Sequence, residues 1–144
     1  MVVATVSPAE VMRRIKTIAV VGASKSPEKE ANAVPLYLKQ HGYRIVPVNP
    51  TAAEVLGEKA YPSLLDLPKE VANAVDAVEV FRPGAELPQV ALQAAEMKKR
   101  YGRPLFFWAQ LGLMSEEAEK TLRENGIQYV MDACMRTVHR YDVR

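Results

Sequence analysis

Short apolar runs alternate along the chain with longer segments of mixed polarity. Five runs predict β-strands, at residues 17–21, 43–48, 75–81, 104–109 and 127–131. The first, TIAVV, is apolar at successive positions, which is typical of a parallel strand buried on both faces of a sheet. Turn residues such as Gly22 and the pair Asn49-Pro50 stop these runs. The pattern therefore predicts a sheet with little exposed face.

The segments between the runs carry helical patterns. Helices are predicted at residues 8–14, from 32 or 33 to about 41, at 86–100 and at 115–125. Pro35 is expected in the first turn of the second helix, where its missing N–H costs little. Residues 51–67 are less regular and predict a turn and a short helix beside a sheet edge.

This alternation predicts one α/β domain over residues 1–144, a doubly wound parallel sheet of about five strands in three layers. In such folds ligands bind beyond the carboxyl ends of the strands, where the strand order reverses. Four segments then become candidates for a binding site: residues 22–26, 48–50, 81–83 and 108–112.

Composition narrows the function classes. The chain has 144 residues, 49% of them hydrophobic, with 19 basic and 17 acidic side chains, so no general binding of nucleic acid is indicated. A single cysteine, Cys134, excludes an intrachain disulfide. No apolar stretch approaches the roughly 20 residues of a membrane span, and the first residues lack the core of a signal peptide. A cytoplasmic protein is expected.

The loop after the first strand has the chemistry of an anion site. Gly22 allows a sharp turn, Ala23 follows, Ser24 offers a hydroxyl donor and Lys25 adds a positive charge. The next helix can direct free N–H groups at a phosphate. The full G-x-G-x-x-G dinucleotide fingerprint is absent, because Ser24 stands at its second glycine. An ordinary strand-to-helix turn remains the alternative.

The second strand ends in Val48, Asn49 and Pro50. A domain that binds NAD usually has an Asp or Glu at this tip to hold the ribose hydroxyls. Neither an acid nor an arginine for a 2′-phosphate is present. An NAD(P)-dependent oxidoreductase is therefore the less favoured interpretation.

The third and fourth strand ends add a ring, a cation and an amide. Phe81, Arg82 and Pro83 place an aromatic ring and a guanidinium where a nucleotide could lie, and Arg82 suits bidentate pairing with phosphate. A surface salt bridge is the alternative for Arg82. Gln110 follows the apolar strand at 104–109, next to Trp108, which fits either the core or a ligand contact.

No catalytic centre is evident. His41 and His139 have no obvious nucleophile or carboxylate partner in the sequence. Cys134 follows the last strand and so should lie near the ligand edge, where it is either a reactive thiol or an inert, buried one.

Six segments together resemble the CoA-binding domain family, which is related to the amino-terminal domain of the succinyl-CoA synthetase alpha subunit. They are IAVVGAS (18–24), GYRIVPVNP (42–50), LGEKAYPSL (56–64), VEVFRP (78–83), WAQLG (108–112) and VMDACM (130–135). The resemblance implies a Rossmann-like domain that holds coenzyme A, with residues 22–25 around its phosphates, 48–50 along the nucleotide, and 81–83 with Gln110 beside the pantetheine.

The same resemblance bears on activity. The synthetases carry their phosphorylated histidine in a second domain, which we do not expect here. The favoured hypothesis is a small protein that binds CoA or acyl-CoA without chemistry of its own. A dinucleotide-dependent enzyme and a regulatory subunit of a separate acyl-CoA synthetase are the alternatives, and the oligomeric state is left open.

Overall fold

Six strands form the central sheet of the molecule, in a computed structural model that describes residues 1–143. Arg144, the last residue of the predicted domain, lies outside the described residues. The strands of the structure are β1 (Val3–Ala4), β2 (Thr17–Val21), β3 (Arg44–Val48), β4 (Glu54–Val55), β5 (Glu58–Lys59), β6 (Ala77–Val80), β7 (Phe106–Ala109) and β8 (Gln128–Met131). β4 and β5 form a separate two-stranded hairpin.

The helices are α1 (Pro8–Arg14), α2 (Glu30–Gln40), α3 (Lys69–Ala72), α4 (Leu87–Tyr101), α5 (Glu116–Glu124) and α6 (Met135–Val138). Short 3-10 helices occur at Leu64–Asp66 and Gly84–Glu86, and a π-helix at His139–Val143. None of the helices in residues 1–143 is long and apolar enough to cross a membrane.

The sheet order is β1-β8-β7-β6-β2-β3. The five predicted strands are parallel to one another, while β1 pairs antiparallel with β8. From β2 the chain moves outward to β3 and then returns to the other side of β2 to form β6. The strand order therefore reverses beside β2, which places the expected ligand crevice at the ends of β2 and β6.

Side chains of the buried strands alternate between two apolar layers. In β2, Ala19 and Val21 face the layer under α4, while Ile18 and Val20 face the layer under α1, α2 and α6. Both faces are thus covered by helices, which confirms the predicted doubly wound α/β fold and explains the continuous apolar runs.

Two local predictions need correction. Helix α2 begins at Glu30 rather than at residue 32 or 33, so Pro35 is its sixth residue and lies inside the helix. β1 and the β4–β5 hairpin were not predicted, because strands of two residues are too short to show an alternating pattern. The short helix expected between residues 51 and 67 is present as the 3-10 helix Leu64–Asp66.

Candidate functional site

Gly22 lies where the loop after β2 passes closest to the end of β6. Its φ of +88° is in the left-handed region that favours glycine. A Cβ atom there would lie 2.8 Å from Cδ of Arg82 and 3.1 Å from the carbonyl oxygen of Phe81. The N–H of Gly22 donates to the carbonyl of Val48 at 2.9 Å. Glycine is therefore required here both for the turn and for the space.

The backbone of the loop after β2 is fixed by three hydrogen bonds. Nδ2 of Asn49 donates to the carbonyl of Ala23, and Nδ2 of Asn32 donates to the carbonyl of Ser24, both at 2.8 Å. The N–H of Ser24 donates to the carbonyl of Ala31 at 3.1 Å. That carbonyl is free because Pro35, four residues on, has no N–H to offer it. The proline inside α2 thus helps to fix the loop against the start of the helix.

Several donors remain unused around this loop. Within residues 1–143, the N–H groups of Glu30 and Ala31 at the start of α2 have no acceptor. The Ser24 hydroxyl oxygen accepts from the N–H of Ser26 at 3.0 Å, which leaves its own hydrogen free to donate. Free N–H groups at a helix start favour an anion.

These donors border a cavity of about 440 Å³, which we call the central cavity. Its walls come from the loop after β2, the start of α2 and the ends of β3 and β6. They are formed by Gly22, Ala23, Ser24, Lys29, Ala31, Asn49, Pro50, Thr51, Phe81 and Arg82. The structure thus brings together most of the predicted site residues at the point of strand reversal.

The two predicted cations differ in position. Lys25 is exposed and does not line the cavities described here, whereas Lys29, which was not predicted, lines the central cavity. Arg82 lines that cavity and also pairs with Glu86, with Nε to Oε1 at 3.1 Å and Nη2 to Oε2 at 3.0 Å. Both side chains of this pair are nearly half exposed. The spacing of four residues between Arg82 and Glu86, which allows such a pair, could be read from the sequence.

A second cavity, of about 210 Å³, adjoins the central one on the β3 side, and we call it the outer cavity. Both cavities share Gly22, Pro50 and Arg82. Val48 and Val90 give the outer cavity apolar walls, and glutamines of α4 line it as well. Pro83 is exposed and lines none of the three cavities; its carbonyl accepts from the N–H of Glu86.

A third cavity, of about 340 Å³, lies toward β8, and we call it the Cys134 cavity. Phe81 separates it from the central cavity and lines both. Gln110, Leu113 and Cys134 supply further walls. Gln110 is buried, and its Oε1 accepts from the N–H of Met135 at 3.1 Å. Its amide therefore also fixes the turn that carries Cys134.

Trp108 was interpreted from the sequence as either a core residue or a ligand contact, and in the structure it belongs to the core. It is fully buried, and its Nε1 donates to the carbonyl of Ala133 at 2.8 Å. Its role at this edge is to hold the segment that precedes Cys134.

Glu79 was not singled out from the sequence. It is fully buried on β6, and neither carboxyl oxygen has a hydrogen-bond partner. Burial raises the pKa of this carboxyl well above its usual value, and the nearby Cys134 raises the pKa further. The sequence did contain a signal for Glu79, because a charged residue stands there between two valines of an apolar run.

A family model described as "CoA binding domain" matches residues 16–140, most of the chain. The chain belongs to this CoA-binding domain family. The resemblance found in the six segments is thereby confirmed, and membership of this family implies CoA as a ligand.

The chain is also similar to individual proteins. The chain is 42% identical to the uncharacterized protein YneT of Bacillus subtilis, over 90% of each chain. It is 41% identical to part of an ADP-forming acetate–CoA ligase of Archaeoglobus fulgidus, over 56% of this chain and 12% of the ligase. A solved hypothetical protein from Pyrococcus horikoshii OT3 superposes with a TM-score of 0.83 at 34% identity, over 94% of this chain and 92% of that one.

Proposed function

We propose that this member of the CoA-binding domain family is a small cytoplasmic protein that binds CoA or acyl-CoA and has no catalytic chemistry of its own. The observation that carries the proposal is the central cavity. It combines free N–H groups of the α2 start with Lys29 and Arg82. Cavities with partly apolar walls adjoin it on two sides, and each also has one acid in its wall, Glu86 in the outer cavity and Glu30 in the Cys134 cavity. CoA has the same arrangement, with a diphosphate between a nucleoside and a neutral pantetheine arm.

The three cavities suggest how the ligand lies. The diphosphate occupies the central cavity, next to Ser24 and the start of α2. The adenosine part lies in the outer cavity, between Val48 and α4, where Arg82 is within reach of a phosphate. The pantetheine arm passes Phe81 into the Cys134 cavity, so that its thiol or acyl end lies beside Gln110.

Asn49 argues against a nicotinamide dinucleotide. Its Nδ2 holds the carbonyl of Ala23, and its Oδ1 accepts from the N–H and hydroxyl of Thr51 at 2.8 and 3.0 Å. Both ends of the amide are therefore engaged by the protein. An NAD ribose would meet neither the usual carboxylate nor a free acceptor on this side chain.

Native mass spectrometry tests the proposal directly. The purified protein is incubated with equal concentrations of CoA, acetyl-CoA and NADH, and the mass of the bound ligand is measured. We expect complexes with CoA or acetyl-CoA. Binding of NADH in preference to both, or no complex with any of them, would contradict the proposal.

A further inference from the structure

The walls of the Cys134 cavity differ in charge from those of the central cavity. Apart from one acid, they consist of an aromatic ring, two leucine side chains, an amide and a thiol. These come from Phe81, Gln110, Leu111, Leu113 and Cys134. No lysine, arginine or histidine of residues 1–143 lines this cavity. The acid, Glu30, is paired with Arg136, whose Nη2 lies 2.7 Å from its Oε2. The cavity therefore suits an uncharged group, and its ring and leucines favour an apolar one.

Leu111 is held in water at the edge of this cavity. It lines the cavity and yet is 71% exposed. The turn that carries it is fixed, because the N–H of Gly112 donates to Oδ1 of Asp132 at 2.6 Å and the N–H of Leu113 donates to the carbonyl of Gln110 at 3.0 Å. A fixed, exposed leucine beside an apolar wall gains from a ligand that covers it.

The volume of the cavity limits the size of that ligand group. The Cys134 cavity has about 340 Å³, whereas an apolar protein cavity of about 150 Å³ accommodates benzene. It therefore has room for on the order of a dozen non-hydrogen atoms. It also adjoins the central cavity, with which it shares Phe81. With the diphosphate in the central cavity, the sulfur end of the pantetheine arm and a short acyl group would fill this space.

We propose that the Cys134 cavity is an acyl pocket, which makes the ligand of this protein an acyl-CoA with a short, uncharged acyl group. The inference rests on the proposed function, because it needs the pantetheine arm to enter this cavity. It goes beyond that function by naming the ligand class. Free CoA leaves Leu111 uncovered, whereas each methylene of an acyl group adds apolar contact. A carboxylate on the acyl group would lose hydration without meeting a cation.

Titration calorimetry with three ligands measures this selection. CoA, butyryl-CoA and succinyl-CoA share the nucleotide and the pantetheine, and the two acyl groups have the same number of carbon atoms, but succinyl ends in a carboxylate. One buried methylene strengthens binding by about 4-fold, so butyryl-CoA should bind at least about 10-fold more tightly than either CoA or succinyl-CoA. Equal affinity for CoA and butyryl-CoA, or succinyl-CoA binding as tightly as butyryl-CoA, would overturn the inference.

Leu111→Ser tests the wall of the pocket. The side chain is exposed, so the variant should fold, and circular dichroism checks this. The preference for butyryl-CoA over CoA, as the ratio of the two Kd values, should fall by about 3-fold or more.

Leu92→Ser is the matched control for Leu111→Ser. Leu92 lies on α4, is 55% exposed and lines none of the three cavities. This variant should keep the native preference for butyryl-CoA. An unchanged preference in Leu111→Ser, or an equal fall in both variants, would contradict the acyl pocket.

Failure of this inference is distinguishable from failure of the proposed function. Binding of CoA and butyryl-CoA with equal affinity would reject the acyl pocket and keep the CoA-binding function. No binding of any of the three ligands would reject the proposed function itself.

Discussion

The two ends of the ligand edge are built in different ways. The central cavity is bordered by a loop whose backbone is fixed by Asn32, Asn49 and the carbonyl of Ala31. The Cys134 cavity is lined by Gln110, whose Oε1 is bonded to Met135, and the fully buried acid Glu79 on β6 has no hydrogen-bond partner. The first end offers donors to a fixed charge, while near the second end the pKa of a buried carboxyl, Glu79, is raised by burial.

This difference separates ligand recognition from the pH dependence of stability. Backbone N–H groups do not titrate, so a site made from them binds phosphate with little dependence on pH near neutrality. A buried carboxyl without a partner costs stability when ionised, and such groups occur more often at functional sites than elsewhere. We therefore expect substitutions at the first end to change affinity, and substitution of Glu79 to change the pH dependence of stability.

The largest effect is expected from Gly22→Val. A side chain there is strained at a φ of +88° and meets the Phe81 carbonyl and Arg82, so the loop must move away from the start of α2. CoA binding, measured by calorimetry, should fall below detection, while circular dichroism should still show a folded protein.

Gly42→Ala is the matched control for Gly22→Val. Gly42 has a φ of +93°, and nothing lies within 4 Å of its virtual Cβ. The variant should lose about 1 to 2 kcal/mol of unfolding free energy from backbone strain and keep its affinity for CoA. CoA binding by Gly22→Val at native affinity would remove the loop from the site.

Lys29→Ala should weaken CoA binding by roughly 10- to 150-fold, the value of a charge-assisted hydrogen bond of about 1.5 to 3 kcal/mol. Lys25→Ala is its natural comparison, since it removes the same charge four residues earlier from a side chain outside the cavity wall. We expect the smaller loss for Lys25→Ala. A larger loss of affinity for Lys25→Ala than for Lys29→Ala would mean that Lys25, the cation predicted from the sequence, contacts the ligand and that Lys29 does not.

Glu86→Gln should strengthen CoA binding by up to about 5-fold, because an exposed ion pair is worth about 0 to 1 kcal/mol and its loss frees Arg82 for phosphate. Arg82→Ala should weaken binding instead. Calorimetry on both variants checks the pair. Weaker binding by Glu86→Gln would mean that the Arg82–Glu86 pair itself shapes the site.

Glu79→Gln should change how stability depends on pH. The folded-state pKa of Glu79 is raised above its usual value of 4.5, so the native protein holds this proton more tightly than the unfolded chain does. The native protein should therefore lose stability as pH rises from about 4.5 toward the folded pKa. Glu79→Gln has no carboxyl to ionise and so does not lose this stability. Its Tm minus the native Tm should therefore increase as pH rises from about 4.5 toward the folded-state pKa of Glu79. A constant difference in Tm would contradict a raised pKa.

The sheet and the loop that borders the central cavity could be predicted from local signals. Continuous apolar runs showed the parallel strands, and Gly22 followed by Ala23 and Ser24 showed the loop, because turn chemistry depends on neighbouring residues. Arg82 was predicted as a cation, and its partner Glu86 lies only four residues away.

The remaining features depend on contacts between distant segments. Asn32 and Pro35 act on the loop only because α2 begins at Glu30, and a helix boundary is hard to place when no side chain caps it. Sheet order places Glu79 beside Trp108, whose indole bonds Ala133 next to Cys134, and no local pattern in the sequence shows this. Lys29 rather than Lys25 lines the cavity because the loop turns between them.

Titration calorimetry of CoA against NADH tests the central claim most directly. The account predicts that CoA binds and that added salt weakens it, because phosphate pairing with Lys29 and Arg82 is partly exposed. It also predicts that NADH binds at least about 10-fold more weakly, the loss of one charge-assisted contact. NADH binding as tight as CoA binding, or no binding of CoA, would contradict the account.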